Sequence, residues 1–167
     1  SYYYTGKYDV ARKYLDEHAE MYEKSQFRMA APYFQGSNLS RLQYWGKAAE
    51  LLDSFLSKYP DPGKNIYLPF ALYDRANCHF AEDELDPALV KLNRLESEFP
   101  NSDIMDMAFN LKGNVLQTQE EWDPAETYYK KAMELAKRRE NTIVVGESLF
   151  YLVGLLGPEK RGKKENP

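Results

Sequence analysis

Very few residues of this chain could do chemistry by type and spacing. Cys78 stands beside His79, a thiol and an imidazole that could in principle act as nucleophile and base. Adjacent residues on a helix point about 100° apart, and the surrounding pattern predicts a helix, so the pair reads as packing. One cysteine and two histidines, His18 and His79, give neither an internal disulfide nor a zinc-type ligand set. No nucleophile elbow, phosphate-binding loop or dinucleotide fingerprint occurs. The expectation is therefore a non-catalytic protein with no cofactor and no metal. Asn38-Leu39-Ser40 matches a glycosylation acceptor, but it falls in the middle of a predicted helix and is discounted.

Charge narrows the partners. The 167 residues carry a formal net charge of −4, with acidic clusters at Glu82-Asp83-Glu84 and Glu120-Glu121, which leaves no broad cationic surface for nucleic acid. The one concentrated basic run, Lys160-Arg161-Gly162-Lys163-Lys164, lies in a Gly/Pro-bounded stretch and reads as a solvated tail. The longest apolar stretch, Ile143 to Leu156, is interrupted by Glu147 and too short for a membrane span, so a packed helix is expected there. No signal-peptide pattern opens the chain, which starts inside a repeat, so a targeting segment is left to whatever precedes it.

The elements that would position any site come from an internal repeat. GSNLSRLQYWGKA (36 to 48), ANCHFAEDELDPA (76 to 88) and GNVLQTQEEWDPA (113 to 125) each open on a small residue, reach a large apolar residue nine later and end on alanine. A truncated copy opens the chain, with Tyr8 three residues before Ala11. The alanines at 11, 48, 88 and 125 are 37, 40 and 37 residues apart. Tyr33-Phe34-Gln35-Gly36-Ser37 looks like the scar of a tag-cleaving protease, but the glutamate required five residues before the glutamine is Ala30, and the stretch fits the repeat. It is native sequence.

Within each copy the spacing is helical. Leu85, Ala88, Leu89, Leu92, Leu95 and Phe99 form one apolar stripe, as do Trp45, Leu52, Phe55 and Tyr59 around Ala48, and Trp122, Tyr129, Ala132 and Leu135 around Ala125. Asp86-Pro87 and Asp123-Pro124 predict an N-cap followed by the first helical position, and Pro60 and Pro100 close the second helix of their repeats. Each unit is then a pair of antiparallel helices that cannot bury its own apolar face, so units must stack. The predicted architecture is an all-α, right-handed α-solenoid over 1–157, with a half repeat, three full repeats and the first helix of a fifth at TIVVGESLFYLVGLLG, followed by a polar basic tail at 158–167.

The order of small, aromatic, alanine and proline residues resembles the tetratricopeptide repeat over about residues 1 to 137. The copies here are longer than the usual repeat of about 34 residues, His79 replaces a common tyrosine, and Glu23 and Lys137 replace the closing proline in two copies. The resemblance implies a protein-interaction scaffold whose first helices line a concave peptide groove at Tyr33, Ser37, Arg41, Tyr73, Asn77, Phe80, Asn110, Asn114 and Gln117. Asn amides there would bond an extended backbone, and Tyr would supply contact area. Asn77 and Asn114 match in type the carboxylate clamp of co-chaperone modules, with Arg41 and Lys112 the nearest cations. The longer repeats closing on Tyr59-Pro60 and Phe99-Pro100 also look like those of bacterial cell-envelope proteins, the outer-membrane assembly lipoprotein and the Tol-Pal coordinator. That likeness implies an envelope location and an alternative role as a spacer or oligomerisation arm. Tyr2-Tyr3-Tyr4 and the unpaired repeat ends are expected to support self-association.

Overall fold

The computed structural model describes residues 28–155 together with Val10, Lys13, Tyr14 and Glu17. Ala11 and Tyr8 of the truncated copy, the Tyr2-Tyr3-Tyr4 cluster and the basic run from Lys160 lie outside the described residues. Seven helices follow one another between 28 and 155: α1 (Ala30–Arg41), α2 (Trp45–Lys58), α3 (Leu68–Ala81), α4 (Leu85–Glu98), α5 (Met105–Thr118), α6 (Trp122–Arg138) and α7 (Thr142–Leu155). No strand occurs among the described residues, as the 3.6-residue periodicity requires.

The chain divides into two compact units, Ser1–Arg94 and Leu95–Pro167, with the division inside α4. In the first, α1 packs on α2, α2 on α3, and α1 reaches α3; in the second, α5 packs on α6, α6 on α7, and α5 reaches α7. Within each unit a helix therefore lies against its neighbour in sequence, and the first helix of one pair meets the first helix of the next.

The repeat residues explain the close approach. Ala48, Ala88 and Ala125 are fully buried. A Cβ on Gly36 would stand 2.9 Å from Leu52 Cγ, and one on Gly113 only 2.4 Å from Tyr129 Cε1. Second helices bury a single stripe, Ala48, Ala49, Leu52, Phe55 and Leu56 on α2 and Ala125, Tyr129, Ala132 and Ala136 on α6. First helices are covered on more sides: α5 buries nine of its fourteen residues, Asp106, Asn110 and Lys112 among them. Polar residues buried in a helix interface must find partners, and here they find them on or just beside neighbouring helices.

Two local expectations change, and the proline stops hold. The Asp-Pro pairs are not caps: α4 starts at Leu85 and α6 at Trp122, so Asp86 and Asp123 stand in the first turn, with Glu121 as N-cap of α6. Proline fits there because the first-turn N–H groups have no intrahelical partner, and the carboxylates still face the positive helix end. Helices α2 and α4 end at Lys58 and Glu98, two residues ahead of Pro60 and Pro100, since the residue before proline is pushed out of the helical region. The apolar α7 is packed on one side only, burying Val144 and Ser148 while Ile143, Phe150 and Val153 stay about 70% exposed.

The tight loops share a device that no glycine announces. Gln43, Asp83, Glu120 and Glu140 all adopt positive φ, between 58° and 63°. At each, two backbone bonds close the helix end: Gln43 N–H to Ser40 O and Tyr44 N–H to Leu39 O, with the same pair at Asp83 and Glu84, Glu120 and Glu121, and Glu140 and Asn141. This is the Schellman arrangement, usually built on glycine. The longer connection before α3 is pinned by Asn65, 2% exposed, whose Nδ2 donates to Tyr59 O at 2.7 Å and whose Oδ1 accepts from Tyr67 N–H at 3.0 Å.

Candidate functional site

In the first unit, three expected groove residues converge on a carboxylate that sequence reasoning did not single out. Tyr33, buried and stacked on Tyr67 with ring centroids 5.1 Å apart, donates its hydroxyl to Asp74 Oδ2 at 3.3 Å. Ser37, fully buried on the same face one turn later, also hydrogen-bonds Asp74, and the exposed Arg41 acts on it through its charge. Burial pushes the Asp74 carboxyl above the ordinary carboxylate range, and Ser37, Arg41 and Tyr33 pull it back only in part. The signal in the sequence was its place beside Tyr73, one repeat after Tyr33. Tyr73, Asn77 and Phe80 are half-buried on α3, one turn or less apart.

In the second unit the equivalent polar residues also bond within the protein. Asn110, 4% exposed, donates from Nδ2 to Glu147 Oε2 and accepts from Ser148 Oγ at Oδ1, both at 3.1 Å. Asn114 Oδ1 and Gln117 Oε1 each lie 2.8 Å from the hydroxyl of Tyr129 and share its proton as acceptors. Tyr129 is fully buried and stacks on Tyr151, centroids 5.2 Å apart; burial, then the neighbouring Tyr151, raises its phenol so that it stays a neutral donor. Asn114 and Gln117 are themselves half-buried.

Ser37, Tyr33 and Asn110 are thus interior residues that tie one first helix to the next. Arg41, Tyr73, Asn77, Phe80, Asn114 and Gln117 are those with surface left to offer. Lys112, one of the two cations nearest to a carboxylate clamp, is 7% exposed, with Nζ 2.6 Å from Glu96 Oε2 and 4.3 Å from the centre of the Tyr128 ring. It is engaged inside the second unit and does not face a ligand.

Cys78 and His79 turn to different partners, as their spacing implies. The buried Cys78 Sγ lies 3.7 Å from Ser40 Oγ, and burial raises its thiol, while His79 Nδ1 is 2.5 Å from Glu84 Oε2. Asn38 is fully buried, which removes it as a glycosylation acceptor. Among the described residues no group of three or more His, Cys, Asp or Glu could hold a metal, and no helix is long and apolar enough to cross a membrane.

Comparison with known proteins agrees with the geometry. Residues 70–102, from the first turn of α3 to just beyond α4, match the tetratricopeptide repeat family model. No curated protein sequence matches the chain. Among solved structures, MamA superimposes with a TM-score of 0.62 at 18% identity, over 98% of this chain and 94% of that one. MamA from Desulfovibrio magneticus RS-1 gives 0.63 at 18%, over 97% and 90%. Nearly identical TPR-like repeats of a kinesin light chain from Podosopora anserina, in a singly substituted form, give 0.64 at 11%, over 82% and 70%. At these identities the likeness shows the fold. The chain is a protein of tetratricopeptide-repeat fold, with a repeat of that family at 70–102.

Proposed function

We propose that the protein is a non-catalytic interaction scaffold that binds an extended segment of a partner protein along its first helices. The observation that carries this reading is the row Tyr73, Asn77 and Phe80 on α3. An aromatic, an amide and a second aromatic there keep accessible surface, while the buried Tyr33 and Ser37 hold Asp74 and so fix the helix that carries them. In the second unit Asn114 and Gln117 offer the same chemistry on α5, held by the Tyr129 hydroxyl. Amides whose acceptors are already oriented lose little freedom on binding. The immobilised protein and its Tyr73→Ala/Asn114→Ala variant, exposed to the same lysate, test this. A partner retained only by the parent supports the groove, and identical retained sets argue against it.

A second reading, an oligomerisation arm of a larger bacterial envelope protein, is favoured by the exposed Ile143, Phe150 and Val153 on α7. Light scattering over a dilution series separates the two: mass that rises with concentration and falls with Phe150→Ser supports the arm, and a constant monomer mass opposes it. Fractionation of source cells tests the location, and recovery in the cytoplasm counts against the envelope.

A further inference from the structure

The second unit contains a cleft unrelated to the groove residues. It has a volume of about 290 Å³ and lies between the C-terminal half of α6 and the loop that follows α4. Phe109, Leu135 and Pro100 give it apolar walls, and Lys131, Glu134, Arg138 and Arg139 bring charge to it.

Its rim is held rigidly. Arg139 donates through its two terminal guanidinium nitrogens to Asp103 O at 2.9 Å and Ser102 O at 3.0 Å, with Asp106 Oδ1 3.8 Å away. That latch fixes the loop carrying Pro100 and Asn101 against the end of α6. Lys131 lies along the aromatic wall, Nζ 5.5 Å from the Phe109 ring centre and 4.6 Å from that of Tyr128. Its ion pair with Glu96 Oε1 is long, 3.4 Å, while Lys112 holds the other oxygen of that carboxylate at 2.6 Å. One carboxylate thus faces two ammonium groups, and Lys131 keeps charge to give. Arg138 is exposed and has no ion-pair or hydrogen-bond partner among the described residues; Glu134, one turn before it, does not pair with it.

We propose that this cleft binds a carboxylate borne on a small apolar body. The apolar part would rest between Phe109 and Leu135, and the carboxylate would meet the planar guanidinium of Arg138 with support from Lys131. A fork of N–H donors matches a carboxylate in two-point geometry, which a lone ammonium cannot do. The volume is at the lower end of ligand sites, which limits the bound group to about one amino-acid residue. Two sources share this chemistry, a free aromatic acid and the C-terminal residue of a polypeptide.

The test uses the whole protein and amide-resolved NMR with three probes: 3-phenylpropionate, 3-phenylpropionamide and the peptide N-acetyl-Ala-Ala-Phe. Saturable shifts centred on Lys131, Leu135 and Arg138 are expected for both carboxylates, with binding weaker by about tenfold for the amide and for Arg138→Gln. Arg138→Lys should recover only part of the loss, since it returns charge without the fork. Tighter binding of the peptide assigns the site to a polypeptide end, and tighter binding of the free acid assigns it to a small molecule. Equal binding of acid and amide, an unaltered Arg138→Gln titration, no saturable shift, or shifts confined to α3 would overturn the proposal. Because the groove assay reads Tyr73 and Asn114 and this one reads Arg138, either can fail alone.

Discussion

Gly113→Ala tests the idea that one missing methyl sets the distance between α5 and α6. An added Cβ would lie 2.4, 2.6 and 2.9 Å from Cε1, Cδ1 and Cζ of Tyr129, all inside the closest approach that carbon atoms tolerate. The ring has nowhere to retreat: it is fully buried, stacked on Tyr151, and anchored at its hydroxyl by Asn114 and Gln117. Overpacking of a rigid site costs about 1–3 kcal/mol, and alanine's better helix propensity returns about 1 kcal/mol. The difference spans about 0–2 kcal/mol, and with the ring locked a net loss at its upper end is expected. Gly146→Ala is the control, since a Cβ there meets nothing within 4 Å, and it should gain about 0.5–1 kcal/mol from propensity alone. Urea unfolding followed by circular dichroism measures both. The reasoning also requires that Gly113→Ala cease to be harmful in a Tyr129→Leu background, a coupling that a double-mutant cycle reads. Gly113→Ala as stable as the parent, or no coupling to Tyr129, refutes it.

Other expectations follow from the loops and the buried charges. Asp83→Gly, at φ 61°, should stabilise by about 0.5–1 kcal/mol in the same urea assay, because a side chain in the left-handed region costs energy that glycine avoids. Glu96→Gln removes the partner of the nearly buried Lys112, and a loss of about 1–3 kcal/mol is expected at neutral pH. The Glu96 carboxyl is opposed by burial, which raises it, but Lys112 and then Lys131 outweigh that and hold it below its ordinary 4.5. Its contribution is therefore present above that value and lost as pH falls through the lower folded value, so the penalty of Glu96→Gln should shrink in acid. Asp74 has the opposite sign. Its folded carboxyl is raised above 3.8, so ionisation opposes folding at neutral pH, and the cost is relieved as pH falls through the folded value toward 3.8. Asp74→Asn should stabilise at neutral pH and lose that advantage in acid; a pH series of urea midpoints in which it destabilises throughout would show that Arg41 and the two hydroxyls outweigh burial.

The helix pairs were legible because their cause is local. A small residue, an alanine twelve later and a proline twelve beyond that recur at Gly36, Ala48 and Pro60 and at Ala76, Ala88 and Pro100. Close helix contact and helix termination restrict residue type at single positions whatever the neighbours. The stripe residues Leu52, Phe55, Leu92, Leu95 and Tyr129 are buried as their spacing predicts. The loop conformations were not legible, because Gln43, Asp83 and Glu120 are ordinary polar residues forced into positive φ by the two helices they join.

By itself, the sequence determined the helix pairs, their repeat length and the residues of close approach, since each depends on periodicity and side-chain size read along one chain. Only the tertiary structure decided which polar residues of the first helices remain available. Asn110 and Asn114 are the same residue type one turn apart, yet Ser148 and Glu147 draw the first into the interior and Tyr129 leaves the second half-exposed. The partners that bury one and spare the other come from another helix and, for Asn110, about one repeat away. A helical pattern records which face a residue is on, and the packing of the next helix settles what that face meets.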